Sequence, residues 1–140
     1  DRKGVTGGGR ILEKGTIENP IRFGFQISIP AVHRHTKEED DLLDRLKGER
    51  VELTGKNRKR VKVKMEDEVV GEDVSGDGLQ EVLVKTEYFK GVQPEFDAGD
   101  GAFTIWNRSK QRLQKGFQIR WYTDPKKDPK GEARFTVTLK

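Results

Sequence analysis

Hydrophobic and polar positions alternate most strictly over residues 21–29, where Ile21, Phe23, Phe25, Ile27 and Ile29 are separated by Arg22, Gly24, Gln26 and Ser28. Successive side chains of a strand point to opposite faces, so this spacing predicts a β-strand with one apolar and one polar face. Pro20 and Pro30 bracket it and cannot extend a ladder. The tetrapeptide Gly-Phe-Gln-Ile at 24–27 returns at 116–119, and both copies are expected as central strands of a β-rich core, with Phe23, Phe25 and Ile27 buried.

The same alternation predicts further strands. Residues 50–54 and 60–65 read as a hairpin around Gly55, Lys56 and Asn57, with Val51, Leu53, Val61, Val63 and Met65 on one face. Residues 79–89, 102–107, 116–122 and 133–139 read as four more strands, and 10–13 with 16–18 as two short strands or one bent one. The glycine-rich residues 1–9 read as a flexible lead-in, and 66–78 and 91–101 as loops. One stretch breaks the period. Thr36 and Glu39 form a capping box ahead of Leu42, Leu43 and Leu46, which predicts a single short helix over residues 37–47, closed by Gly48 in a left-handed conformation. With no alternation of strands and helices, the expected architecture is one all-β domain over 10–140. It is an antiparallel β-sandwich or jelly-roll-like barrel with one short α-helix.

Composition sharpens this reading. Only 31% of the 140 residues are hydrophobic and 37% are charged, yet 28 basic against 24 acidic residues leave a net charge of only +4. Near-cancelling signs and concentrated apolar runs favour a thin-cored folded domain over disorder. The absence of cysteine excludes disulfides, thiolate zinc sites and cysteine nucleophiles. No apolar run is long enough to span a bilayer. The chain opens at Asp1, as a processed mature chain or an excised segment would. An acidic partner is permitted by the basic pI of about 9.3.

Face arguments supply the candidate chemistry. If Phe103, Ile105, Phe117 and Ile119 mark the core, Trp106 and Tyr122 point the other way, beside Gln118 and Arg120. An indole and a phenol with polar neighbours on a flat sheet make a platform for a sugar ring or a partner chain; the alternative is that the helix covers them as core. Asp73, Ser75 and Asp77 have the spacing of the first half of a calcium loop, without the glutamate and flanking helices of an EF-hand. Glu81 could complete a looser site, and calcium is the one cofactor the sequence offers; a plain turn satisfies the same residues. Asp97 and Asp100 form a weaker candidate of the same kind. His33 and His35 lie two apart with no third ligand marked by spacing, as in a solvated linker.

Lys56, Arg58, Arg60, Lys62 and Lys64 line the predicted hairpin with positive charge. Such a strip can hold nucleic-acid phosphates or simply guard a strand against edge pairing. No nucleophile elbow, phosphate-binding glycine loop or zinc-protease motif occurs, and the expectation is that the chain is not an enzyme.

Two stretches carry a family likeness. Thr6-Gly-Gly-Gly-Arg-Ile11 followed by Phe23-Gly-Phe25, and Gly99-Asp-Gly-Ala-Phe103-Thr-Ile105, resemble the opening and closing strands of the small secreted bacterial post-COAP β-domains. The resemblance implies a non-catalytic accessory module of an extracellular protein and assigns no binding residues. The expected function is therefore recognition of a glycan, a surface or a sister subunit, outside the cytoplasm. The alternatives are a nucleic-acid-binding β-barrel using the hairpin, and a subunit of a shell or filament.

Overall fold

The computed structural model describes residues 4–29, 47–67, 76, 78–107 and 117–140. These form an all-β, antiparallel, curled sheet of nine strands. In chain order the strands are β1 (Gly4–Gly8), β2 (Gly24–Ile29), β3 (Arg50–Gly55), β4 (Arg60–Lys64), β5 (Leu79–Lys85), β6 (Pro94–Asp97), β7 (Ala102–Asn107), β8 (Phe117–Tyr122) and β9 (Arg134–Leu139). The sheet branches at β5. On one side β5 pairs with β3, which carries β4. On the other it pairs with β6 through residues 81–83 and with β7 at Leu79. Two limbs leave it there, β6-β9-β1 and β7-β8-β2.

A register slip opens the branch. Thr54 faces Glu81 but Gly55 faces Leu79, so Gln80 is the extra residue of a bulge. One inserted residue reverses the side-chain alternation, which returns Leu79 to the core side opposite Phe103. The limbs then curl toward each other over one apolar core that includes Val51, Leu53, Val82, Val84, Phe96, Phe103, Ile105, Phe117 and Ile119. Phe25 of β2 stacks on Phe135 of β9 with centroids 4.6 Å apart, although the two strands do not pair. Trp121 tilts against the same ring at 5.1 Å and donates its indole N–H to the Ala98 carbonyl at 3.0 Å. Gly101 has to be glycine here, because a Cβ would lie 2.4 Å from the Trp121 nitrogen. Beyond the aromatic seam the Ile11 amide bonds the Lys130 carbonyl, the Thr123 amide bonds the Phe23 carbonyl, and Arg10 pairs with Glu132.

The hairpin of β3 and β4 is as expected, with Val51 opposite Val63 and Leu53 opposite Val61. Its turn is closed by the Gly55 amide donating to the Lys59 carbonyl and the Arg58 amide donating to the Gly55 carbonyl, with Arg58 at a φ of 64°. Asn107, wholly buried at the end of β7, donates to the Met65 and Asp67 carbonyls and so ties the exit of the hairpin to the far limb.

Several expectations are corrected. The 21–29 run becomes a strand only from Gly24 and lies at the end of its limb, so Phe23, Phe25 and Ile27 are half-buried. Its echo β8 is the internal strand, flanked by β7 and β2. The glycine-rich start forms β1, because bare backbone is what fits over Phe135: a Cβ on Gly7 would sit 2.4 Å from that ring. Residues 10–13 and 16–18 are loop. The strand expected over 79–89 stops at Lys85, where Glu87–Phe89 winds into a 3-10 turn and Lys90 and Gly91 take positive φ. β6 lies inside an expected loop; four residues with proline at the first position leave little alternation to read. The helix expected over 37–47 lies, but for Lys47, outside the described residues. Lys47 is in a turn, and Gly48 adopts the expected left-handed conformation with a φ of 81°.

Candidate functional site on the outer face of β7, β8 and β2

Strand register assembles the site. Across β7, β8 and β2 the outward positions fall in three rows: Ala102, Tyr122 and Gly24; Thr104, Arg120 and Gln26; Trp106, Gln118 and Ser28. The intervening positions, among them Phe103, Ile105, Phe117, Ile119 and Trp121, point into the core. The four residues singled out by alternation, Trp106, Gln118, Arg120 and Tyr122, therefore share one face. Arg120 stands at its centre.

Two cation–aromatic contacts organise this face. The Arg120 guanidinium carbon lies 4.9 Å from the Trp106 ring centre, and that of Arg22, just ahead of β2, lies 5.2 Å from the Tyr122 ring centre. A guanidinium over an aromatic face is attracted by the ring quadrupole and keeps its planar donor fork oriented. Arg120 also donates to the Gln118 amide oxygen at 2.6 Å, which orients that amide; Gln118 is buried while Trp106, Arg120 and Tyr122 are half-buried. Trp106, Arg120, Tyr122 and Arg22 line a groove of about 600 Å³, together with Gly24, Gln26, Gly76 and Thr104, while Gln118 does not reach it. Its volume lies within the range of small-ligand sites. The described lining contains two arginines and no carboxylate. Tyr122 and Gln118 are four residues apart on β8, so the two aromatic rows are about 14 Å apart at ~3.4 Å per residue. A ligand touching both rings has to be extended.

The residues that the periodicity alone did not bring to this site are Arg22, Gly24, Gln26 and Thr104. Each was legible as a polar position of its own strand. β2 and β8, which carry the two Gly-Phe-Gln-Ile copies, are antiparallel neighbours, but the copies meet only where Ile27 faces Ile119, so the echo does not announce the pairing.

The other candidates are dispersed. Lys56, Arg58, Arg60, Lys62 and Lys64 lie on the β3–β4 hairpin, where Glu52 approaches Lys62 at 3.7 Å and Glu66 approaches Lys64 at 3.8 Å. Glu52 also accepts from Lys85 at 2.8 Å. That hydrogen bond, helped by the charges of Lys85, Lys62 and Arg50, holds the Glu52 carboxyl below its ordinary pKa. Asp97 caps its own turn, accepting from the Gly99 amide and the Gln80 side chain. Asp73, Ser75, Asp77, His33 and His35 lie outside the described residues; among the described ones no three His, Asp or Glu side chains converge as a metal site. No described helix is long and apolar enough to cross a membrane.

The described residues thus define an all-β protein with an aromatic and guanidinium-lined groove on one sheet face. Comparison with family models, with curated proteins and with solved structures returned no match. The glycines that carry the post-COAP likeness have local packing reasons: Gly7 and Gly9 lie against Phe135 and Phe23, and Gly99 and Gly101 against the Arg134 carbonyl and Trp121.

Proposed function

We propose that this chain is a non-catalytic binding module, a β-domain of sandwich or jelly-roll type, that recognises an extended glycan outside the cytoplasm through the outer face of β7, β8 and β2. The observation that carries this reading is the seating of a guanidinium on each of the two aromatic rings of that face, at 4.9 and 5.2 Å. Sugars offer apolar C–H faces to such rings and adjacent hydroxyl or carboxylate oxygens to planar donors. Titration calorimetry against a panel of soluble polysaccharides and their oligosaccharides tests it. One class is expected to bind, more tightly as the chain lengthens, and Trp106→Ala is expected to weaken binding at least tenfold at an unchanged melting temperature. Binding by no member of the panel, or equal binding by the variant, would refute the reading. If the face instead receives a sister subunit, as in a shell or filament, the same substitution dissociates an assembly seen in sedimentation.

The hairpin supports a second reading, nucleic-acid binding, on one observation: among the described residues Lys56, Arg58 and Arg60 enter no ion pair. Calcium at Asp73, Ser75 and Asp77 belongs with the first reading as a stabiliser of a loop. Its test is a melting temperature that rises in millimolar calcium relative to chelator and ceases to do so in Asp77→Ala.

A further inference from the structure

Three strands have a single ladder partner among the described residues: β4 on β3, β2 on β8 and β1 on β9. An unpaired edge is a template for further pairing, and proteins guard it with charge, proline or a covering element. The β4 edge carries Arg60, Lys62 and Lys64, and β2 is followed by Pro30 and held into the seam by Phe25 on Phe135. β1 has no such guard. It reads Gly-Val-Thr-Gly-Gly in a chain with 37% charged residues, and Gly4, Val5, Thr6 and Gly8 are exposed.

Register shows which backbone groups face out. Gln93 and Lys140 exchange both of their backbone hydrogen bonds. Bonded and non-bonded pairs alternate along an antiparallel ladder, so Thr138 and Thr136 bond β6, while Val137 and Phe135 turn toward β1. Their partners there are Val5 and Gly7, and the N–H and C=O groups of Gly4, Thr6 and Gly8 therefore point away from β9 along the free edge. The side chains obey the same register. Thr6 stands beside Thr136 on one face, hydroxyl to hydroxyl at 3.4 Å, and Val5, 70% exposed, lies on the face that carries Phe135. The Phe135 ring lies over Gly7, where a Cβ would come within 2.4 Å of it.

We propose that β1 pairs with β1 of a second copy of this chain, antiparallel about a two-fold axis at Thr6, joining two sheets into one. The strand is self-complementary in that register. Thr6 meets Thr6 of the second copy and Gly4 meets Gly8, so every outward backbone group of the strand is used. On one face the row of Thr136 and Thr6 continues into the same row of the second copy, and cross-strand threonine pairs are favourable. On the other face Val5 falls opposite Gly7 of the second copy and fills the space beside the Phe135 ring that a larger residue would occupy. β1 offers no charge to select an acidic or basic partner, whereas its own copy supplies a bare glycine opposite each projecting valine. Such an isologous contact closes at two chains. Five-residue strands make a small interface, so the dimer is weak and depends on concentration. The proposal is independent of the groove on β7, β8 and β2.

Sedimentation equilibrium of the full chain tests it. The average mass is expected to rise from one chain toward two between about 10 μM and about 1 mM. Thr6→Pro removes an outward amide that β9 does not use, and Val5→Lys places a charge on a side chain that is already exposed. Each is expected to weaken dimerisation at least about tenfold, at an unchanged melting temperature of the dilute monomer. Trp106→Ala is expected to leave the dimer intact, which separates this contact from an assembly through the outer face of β7, β8 and β2. Cysteine placement reads the register, because the chain has none of its own. A hydrogen-bonded antiparallel pair holds its Cα atoms about 5.5 Å apart, within disulfide reach. On mild oxidation Thr6→Cys should therefore form a linked dimer at least about tenfold faster than Val5→Cys, whose symmetry mate is two residues out of register. Four results would overturn the proposal: a monomer up to about 1 mM, dimers of Thr6→Pro and Val5→Lys as tight as the wild type, loss of the dimer in Trp106→Ala, or equal cross-linking of the two cysteine variants.

Discussion

Arg120 and Trp106 are diagonal neighbours on the outer face of β8 and β7, with the guanidinium carbon 4.9 Å from the centre of the indole ring. The relationship holds the indole between two states: it is not core, and it is not a bare surface ring either. Trp121, on the next strand position inward, is 2% exposed and tied by its N–H to Ala98. The two tryptophans of the chain therefore report the two faces of one sheet.

Fluorescence quenching separates them. With Trp106→Phe leaving Trp121 as the reporter, a soluble quencher is expected to have little effect. With Trp121→Phe the remaining Trp106 should be quenched measurably, and more so after Arg120→Ala uncovers the ring. Equal resistance of both indoles in a monomer would show that the outer face is covered, which removes the basis for a ligand groove there.

Core substitutions should follow depth. Phe103 is wholly buried and makes an edge-to-face contact with Phe96 at 6.0 Å, so Phe103→Ala should cost about 3–5 kcal/mol. Phe25 is half-buried in an end strand and stacks on Phe135. Phe25→Ala should cost about 2 kcal/mol. Denaturant unfolding gives both values, and a reversed order would mean that the seam, not the interior of the sheet, is the centre of the core.

Acid should act at the Asp128 carboxylate, as well as at Glu52. Backbone amides of Ala133, Glu132 and Gly131, with the Arg134 charge, hold the Asp128 carboxyl below its ordinary value of 3.8. The folded state thus favours the ionised form. Its contribution to stability is fully present above the ordinary value and fades as pH falls through the depressed one. Asp128→Asn is expected to be less stable than the wild type at neutral pH, with the gap narrowing below about pH 4. Melting curves across that window check it; a gap independent of pH would mean that the carboxylate charge is irrelevant.

Charge reversal on the hairpin distinguishes the two functional readings. If Arg60 and Lys62 contact phosphates, binding to single-stranded DNA should fall steeply with salt, and Arg60→Glu with Lys62→Glu should abolish it. Because Glu52 already neutralises Lys62 at 3.7 Å, the expected outcome is weak binding at low salt and none at physiological salt. Tight, salt-resistant binding would shift the function to the hairpin.

What the sequence by itself determined is local alternation. It separated Trp106 and Tyr122 from Phe103 and Ile105, and placed the hairpin within a residue, because the strand period of two is a property of the backbone and needs no partner. It also implied an all-β chain. Which strands become neighbours is decided by long-range packing, and only the tertiary structure settled that. Nothing local announces that β2 lies at the end of its limb, that Gly4–Gly8 is a strand because Phe135 leaves no room for a Cβ at Gly7, or that a bulge at Gln80 splits the sheet into two limbs. The groove depends on those decisions. Arg22 and Gln26 are nearly a hundred residues from Arg120 in the chain, and they share its face only because β2 and β8 pair in the register that sets Gln26 opposite Arg120; a slip of one residue in β2 would have turned Phe25 outward and taken Gln26 and Arg22 off the face that carries Arg120 and Tyr122.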